Sequence, residues 1–316
     1  MAWLLRRIGI SALLLWGVIT ILFTAIHLVP GNPAEVLLSY GGAAPDPAAV
    51  AALRARLGLD RPLIAQYAGT LAGLVQGDFG RSLQDGASVA AQIGTRLPRT
   101  LELIGAAALL SIAVGVPAGT LAAVRAGRLF DLVASTLAGV MLAIPIFVVG
   151  TLLVLIFAQS LRWLPAGGFV PFAQAPGQHL TLLVMPAVTI AVGLSAILFR
   201  MTRASVLETM ARDHVRAAHA KGVGPVAVLV RHVLRNALAP IVTVLALNLG
   251  TLLGGTVLVE YVFNWPGLSG FLVSAVSARD YPAVVGVVLV ISTLFIALNL
   301  AVDILFVVLD PRVRQA

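Results

Sequence analysis

Along this chain the segments 8–29, 101–124, 132–158, 180–199, 237–259 and 283–308 each carry at most one charged side chain. Each is long enough to cross a bilayer core, which takes about twenty apolar residues of α-helix. In hydrocarbon the backbone must satisfy its own hydrogen bonds, so runs of this length become helices. The fold class that follows is all-α: a polytopic membrane protein with six transmembrane helices. Composition agrees, with 59% apolar residues, 11% charged residues and a mean hydropathy of +1.02, against about 25% charged in soluble domains. Pro117, Pro145 and Pro186 fall inside the runs, where they kink or break a helix.

The first run follows Arg6 and Arg7 and ends in Val29-Pro30-Gly31-Asn32-Pro33, which offers no small-residue cleavage site. It is read as an uncleaved span, residues 1–29. From 30 to 98 prolines, glycines and charges return and no run is long enough to cross. This is a second division, an external segment with short helices such as one at 48–57 with a stripe of Val50, Leu53 and Leu57. Residues 99–316 then hold the five-helix remainder.

Between the fourth and fifth runs lies a charged island, with Arg200, Arg203, Arg212, Arg216, Lys221, Arg231 and Arg235. Such a cluster faces water or a partner, not lipid. Its first half has helical spacing through Leu207, Met210, His214 and Ala217 or Ala218, with Glu208 and Arg212 four apart in the favourable order for an ion pair. Lys221 and Gly222 end that helix, and Gly224 with Pro225 starts another with an apolar stripe of Val226, Leu229, Val230, Val233 and Leu234. Thirteen Lys and Arg residues fall on the island's side of the membrane if both termini lie in the cytoplasm, against Arg162 and Arg279 in the short loops opposite. That bias places the island inside the cell.

The net charge of +8 thus reflects orientation and gives no reason to expect nucleic acid. With no cysteine, thiolate metal sites and disulfides are excluded. The one lysine, Lys221, stands between Ala220 and Gly222, so the chain cannot form a phosphate-binding P-loop. Asp131 and Asp303 belong near one membrane boundary and Glu102 near the other, which leaves no carboxylate pair for acid–base work. His214 and His219 are badly spaced for a shared metal. No catalytic constellation, cofactor or metal is expected in this chain. The polar residues Glu102, Asn248 and Glu260 are candidates for a pathway or outer gate.

The string Asp213, Ala217-Ala218, Lys221-Gly222, His232 and Leu234-Arg235-Asn236-Ala237-Leu238 resembles the cytoplasmic loop of membrane subunits in binding-protein-dependent ABC importers of the peptide/nickel branch. Arg216 stands where that loop carries glutamate. Gly77-Asp78-Phe79-Gly80-Arg81-Ser82, which is either a structural turn or a docking surface, is similar to another element of the branch. So are Leu164-Pro165-Ala166-Gly167-Gly168-Phe169, Glu260 through Phe263 and Trp265-Pro266-Gly267-Leu268, and Arg279-Asp280-Tyr281-Pro282. The resemblance implies a type I ABC importer permease fold, the first permease of a pair. Partners implied are a second homologous permease, two ABC ATPases and a periplasmic or lipid-anchored solute-binding protein, in a bacterial inner membrane. The implied cargo is di- or oligopeptide, with nickel or glutathione as alternatives. It also implies that a loop at about 203–236, with Asp213, Ala217, Ala218, Lys221, Gly222, Arg235 and Asn236, couples to the ATPases. From the residues alone, an ATP-independent secondary transporter or channel stays open.

Overall fold

The computed structural model describes residues 2–28, 35, 46–56 and 60–309. Leu57, the tail arginines Arg312 and Arg314 and most of 30–45 therefore lie outside the described residues. The helices are α1 (Ala2–Leu28), α2 (Pro47–Arg56), α3 (Leu63–Val75), α4 (Val89–Val124), α5 (Leu129–Ala143), α6 (Ile146–Leu153), α7 (Pro176–Met210), α8 (Asp213–Ala220), α9 (Pro225–Val228), α10 (Arg235–Gly255), α11 (Val257–Val262), α12 (Leu268–Ser277) and α13 (Tyr281–Leu309). Among the described residues, extended pairing is confined to one isolated bridge, Arg81 with Ser88.

Five helices are long and apolar enough to cross a membrane, and a sixth span results if α5 is taken together with α6 and the π-helical stretch Val154–Ser160 that continues it. That pair bends by 99°. The cause is local: Pro145 disfavours helical backbone in the residue before it, and Ile144 sits at φ −84°, ψ 123°. The third span expected at 132–158, with Pro145 inside it as a kink or break, is thus a broken pair of helices. Pro186, by contrast, lies within unbroken α7.

The chain divides into two compact units. One comprises Met1–Pro98 with Phe271–Ile296. In it α1 touches α3, where Thr20 Oγ1 and Tyr67 Oη are 2.7 Å apart and Phe23 meets the Tyr67 ring edge-on. Gly286, early in α13, lies so close to Phe79, Val89 and Ile93 that a Cβ there would be crowded by all of them. Most of α1 is bare: Leu13, Leu14, Trp16 and Ile21 are exposed, as suits a helix meeting lipid.

The other unit, Arg99–Gly270 with Ala297–Ala316, is organised around α7, which packs against α5, α6 and α10. Its close approach to α4 depends on two glycines one turn apart. A Cβ on Gly115 would stand 2.6 Å from the Ser195 carbonyl, and one on Gly119 2.6 Å from the Phe199 carbonyl. Small residues at this spacing let helix backbones nearly touch.

Candidate functional site

The charged island folds as a hairpin attached to two long helices. Its first arm is not continuous with α7: Arg212 is extended at φ −75°, ψ 149°, and this break re-phases the helix. Val206 and Thr209 before it and Val215 after it are buried one position off the expected Leu207, Met210 and His214, while Ala218, one of the two residues expected at the end of the stripe, is buried. Glu208 and Arg212 form the expected ion pair at 2.7 Å, but both are exposed, so it contributes little.

The turn between the arms follows from glycine. Gly222 has φ +78°, a left-handed backbone that a Cβ disfavours. It allows the Gly222 N–H to donate to the His219 carbonyl at 2.9 Å and the Val223 N–H to the Ala218 carbonyl at 3.2 Å. That bond pair, with Val223 packed in the same cluster as Ala218, is the Schellman closure of a helix end. Gly224 then caps α9 and Pro225 occupies its first position. The second arm is no separate helix. It runs through a π-helical stretch, Leu229–Leu234, into α10. The wider turn spaces the inward residues as Val228, Val233, Ala237 and Ile241, and leaves Val226 and Val230 exposed, contrary to the stripe assigned from sequence.

Val215, Ala218, Val228, Val233, Ala237 and Ile241 share one cluster with Leu198 and Val206 of α7 and Ala123 of α4. Of the residues assigned to coupling, Ala218 is therefore buried inside the hairpin. Asp213, Ala217, Lys221, Gly222, Arg235 and Asn236 are exposed. Asp213 pairs with Arg216 at 3.4 Å on the surface. Asn236 donates to the His232 carbonyl at 2.6 Å, on the helix that carries it.

Next to the hairpin, Arg203 grips Asp131 with both Nε and Nη2, the latter at 2.8 Å. The Gly127 N–H donates to the same carboxylate at 2.9 Å. A bidentate pair of this kind is geometrically exacting. It ties the α4–α5 turn to α7, and sequence gave no sign of it because the partners are 72 positions apart.

The three polar pathway candidates are placed separately. Asn248 folds back to donate to the Val244 carbonyl at 2.7 Å. Glu102 meets His179 Nε2 at 2.7 Å, while His179 Nδ1 reaches the Val170 carbonyl. The His179 ring is buried against Phe169, Phe172 and Trp265.

Glu260 is 2% exposed and is the centre of a knot. Oε1 accepts from Thr100 Oγ1 at 2.9 Å and lies 3.1 Å from Thr256 Oγ1, while Oε2 accepts from the Gly270 N–H at 2.7 Å. Burial pushes its carboxyl above the ordinary value, and these donors partly offset the push. Its carboxylate sits where a Cβ on Gly267 would be, and the carbonyl of Phe263 where a Cβ on Gly167 would be. The Gly168 N–H donates to that carbonyl at 2.8 Å, and Phe169 meets Trp265 edge-on at 5.0 Å. Two loop motifs distant in sequence thus form one joint. In the other unit, Ser82 donates to Asp280 and the Leu83 N–H donates to the same carboxylate at 3.1 Å, joining the Gly77–Ser82 and Arg279–Pro282 motifs.

Comparison with known proteins gives a consistent picture. The model of the family described as binding-protein-dependent transport system inner membrane component matches residues 115–315, and the model of its N-terminal part matches 1–104. The di/tripeptide transport system permease protein DppB of Pseudomonas aeruginosa is 38% identical over 335 aligned residues, covering 100% of this chain and 99% of that protein. The dipeptide transport system permease protein DppB of Escherichia coli K12 is 36% identical, covering 99% of this chain and 98% of the relative. Among solved structures, a chain of an inward-facing methionine ABC transporter superposes with a TM-score of 0.54 at 19% identity, over 69% of this chain and 96% of that one. A chain of an amino acid ABC transporter gives 0.51 at 17% identity, over 68% and 92%. At these identities the likeness concerns the fold, that of an ABC importer permease.

Proposed function

This chain belongs to the family of inner-membrane components of binding-protein-dependent transport systems, and we propose that it is the first of two permeases in an ATP-driven importer of di- and oligopeptides. Its peptide cargo is supported by the names of its full-length relatives. In this account the second permease completes a central pathway, and a solute-binding protein delivers peptide from outside. The arginine bias supports cytoplasmic termini and a cytoplasmic hairpin. Hydrolysis belongs to two separate ATPase subunits, in keeping with the lack of a P-loop around Lys221.

The observation that carries the mechanism is the packing of the hairpin. Val215 and Ala218 lock onto Val228, Val233 and Ala237, the second arm continues into α10, and both arms rest on α7. A displacement of α8 by a closing ATPase pair is therefore passed to two membrane helices as a rigid-body movement, which opens the pathway alternately to either side. Ala217, Lys221 and Gly222 form the exposed tip that the ATPase grips, with Asp213, Arg235 and Asn236 alongside. Ala218 acts from within by keeping the tip stiff. Glu102, Asn248 and Glu260 stay assigned to the pathway or its outer gate, Glu260 as the joint on which the external loops turn.

Reconstitution tests this. Proteoliposomes with both permeases, the ATPases and the binding protein should accumulate labelled dipeptide only with ATP. Dipeptide flux through the permeases alone, without ATPase, would instead identify a channel or secondary transporter.

A further inference from the structure

A cavity of about 590 Å³ opens within the unit built from Met1–Pro98 and Phe271–Ile296, and the coupling mechanism makes no use of it. Its walls are the turn Ser82–Asp85, Gln92 and Arg96 of α4, Phe271, Ser274 and Ala275 of α12, and Asp280. The volume is in the range of small-molecule sites.

Its polar groups form a short ladder. Arg96 Nη1 donates to Gln92 Oε1 at 2.9 Å, and Gln92 Nε2 donates to the two carboxylate oxygens of Asp85 at 3.3 and 3.2 Å. A cation and an anion are thus held apart by the span of one amide and two hydrogen bonds. The Arg96 guanidinium lies over the Phe271 ring, 4.2 Å from its centre, which fixes the plane of a group whose fork matches a carboxylate. Asp85 is ionised at neutral pH, its carboxyl held below the ordinary value first of all by the Ala87 N–H. The second acid on the wall, Asp280, is buried and accepts from Ser82 Oγ and from the Leu83 and Ala283 N–H groups, whereas Asp85, which accepts from Ala87 and Gln92, is exposed. The cavity therefore presents one positive arm, one negative arm and an apolar floor.

We infer that this cavity binds a free zwitterion of dipeptide size, its carboxylate on Arg96, its ammonium on Asp85 and its apolar side chain against Phe271 and Ala275. The zwitterion follows from the cavity; its being a peptide rests on the proposed function. In the proposed orientation the site is outside the cell, where it holds peptide independently of the binding protein.

The test is binding of glycyl-leucine, by ligand-observed NMR, to the assembled importer purified without its binding protein. N-acetyl-glycyl-leucine, glycyl-leucinamide and leucine serve as comparisons. The unmodified dipeptide should bind about tenfold more tightly than either capped form, as loss of one charge-assisted hydrogen bond implies. Arg96→Gln should erase the preference over the amide, and Asp85→Asn the preference over the acetylated form. Ser274→Trp, on the exposed rim, should abolish binding with both charges intact. No binding of glycyl-leucine, equal binding of the capped forms, or variants that keep both preferences would overturn the assignment. Leucine binding as tightly would overturn the dipeptide size. ATP-driven uptake through the binding protein, measured on the same preparation, separates the two proposals: uptake without cavity binding removes this site alone, and cavity binding without uptake removes the import reading alone.

Discussion

At Gly167 and Gly267 a single methyl group has nowhere to go, since the Phe263 carbonyl and the Glu260 carboxylate already occupy its place. Gly222 differs: a Cβ there meets nothing, and the cost is the left-handed backbone alone. Gly267→Ala should therefore destabilise the chain by about 1–3 kcal/mol, as overpacking does, and Gly222→Ala by about 1 kcal/mol. Thermal unfolding of the purified importer in detergent should rank them in that order. Glu260 gives a pH prediction. Its folded carboxyl titrates above the ordinary 4.5, so between that value and the raised one the folded chain holds more proton than the unfolded chain. Stability is then fully present below 4.5 and declines as pH rises through the window. Unfolding temperature should fall with pH more steeply in the wild type than in Glu260→Gln; parallel slopes would refute this. Sequence marked Glu260 and Gly267 as members of a motif, but not why they belong together. The reason is that Thr100, 160 positions away, donates to the same carboxylate.

Helix ends were easier to read than helix faces. Gly222, Gly224 and Pro225 announce the hairpin turn because each answers a purely local need, a left-handed residue, a cap and a first-turn residue lacking an N–H. The buried stripes of the arms kept Ala218 and Val233 but were displaced elsewhere, because regular spacing takes no account of the extended Arg212 or of the π-helical turn after Val228. In the same way Pro145 marked a break in the third apolar run, while its 99° bend depends on packing that periodicity does not contain. The Arg203–Asp131 pair is the clearest tie between elements and can be measured as one. Asp131 is 4% exposed and Arg203 32%, so removing the arginine, which strands a buried carboxylate, should cost more than removing the acid. A double-mutant cycle of Asp131→Ala and Arg203→Ala should give a coupling of about 1–3 kcal/mol in unfolding stability. Additive losses would mean that the pair does not tie the α4–α5 turn to α7.

Across the molecule, the apolar runs alone required a membrane fold, and the order of the loop motifs pointed to the permease family whose models match residues 1–104 and 115–315. What sequence could not show was that those motifs pair off in space, Gly77–Ser82 with Arg279–Pro282 and Gly167–Phe169 with Phe263–Trp265, since pairing is a property of the folded chain. The transport account makes the hairpin the lever between hydrolysis and movement of α7 and α10. Gly222→Val, which adds a branched side chain at φ +78°, should leave the permease inserted and ATP hydrolysis running while dipeptide uptake falls at least tenfold. The most direct measurement exploits the absence of cysteine in this chain. With Ala217→Cys as its sole thiol, cross-linking in the assembled importer should join the permease to an ATPase subunit, with a yield that changes when ATP is bound. A thiol that never reaches the ATPase and instead reacts with a membrane-impermeant reagent added outside intact cells would contradict the account.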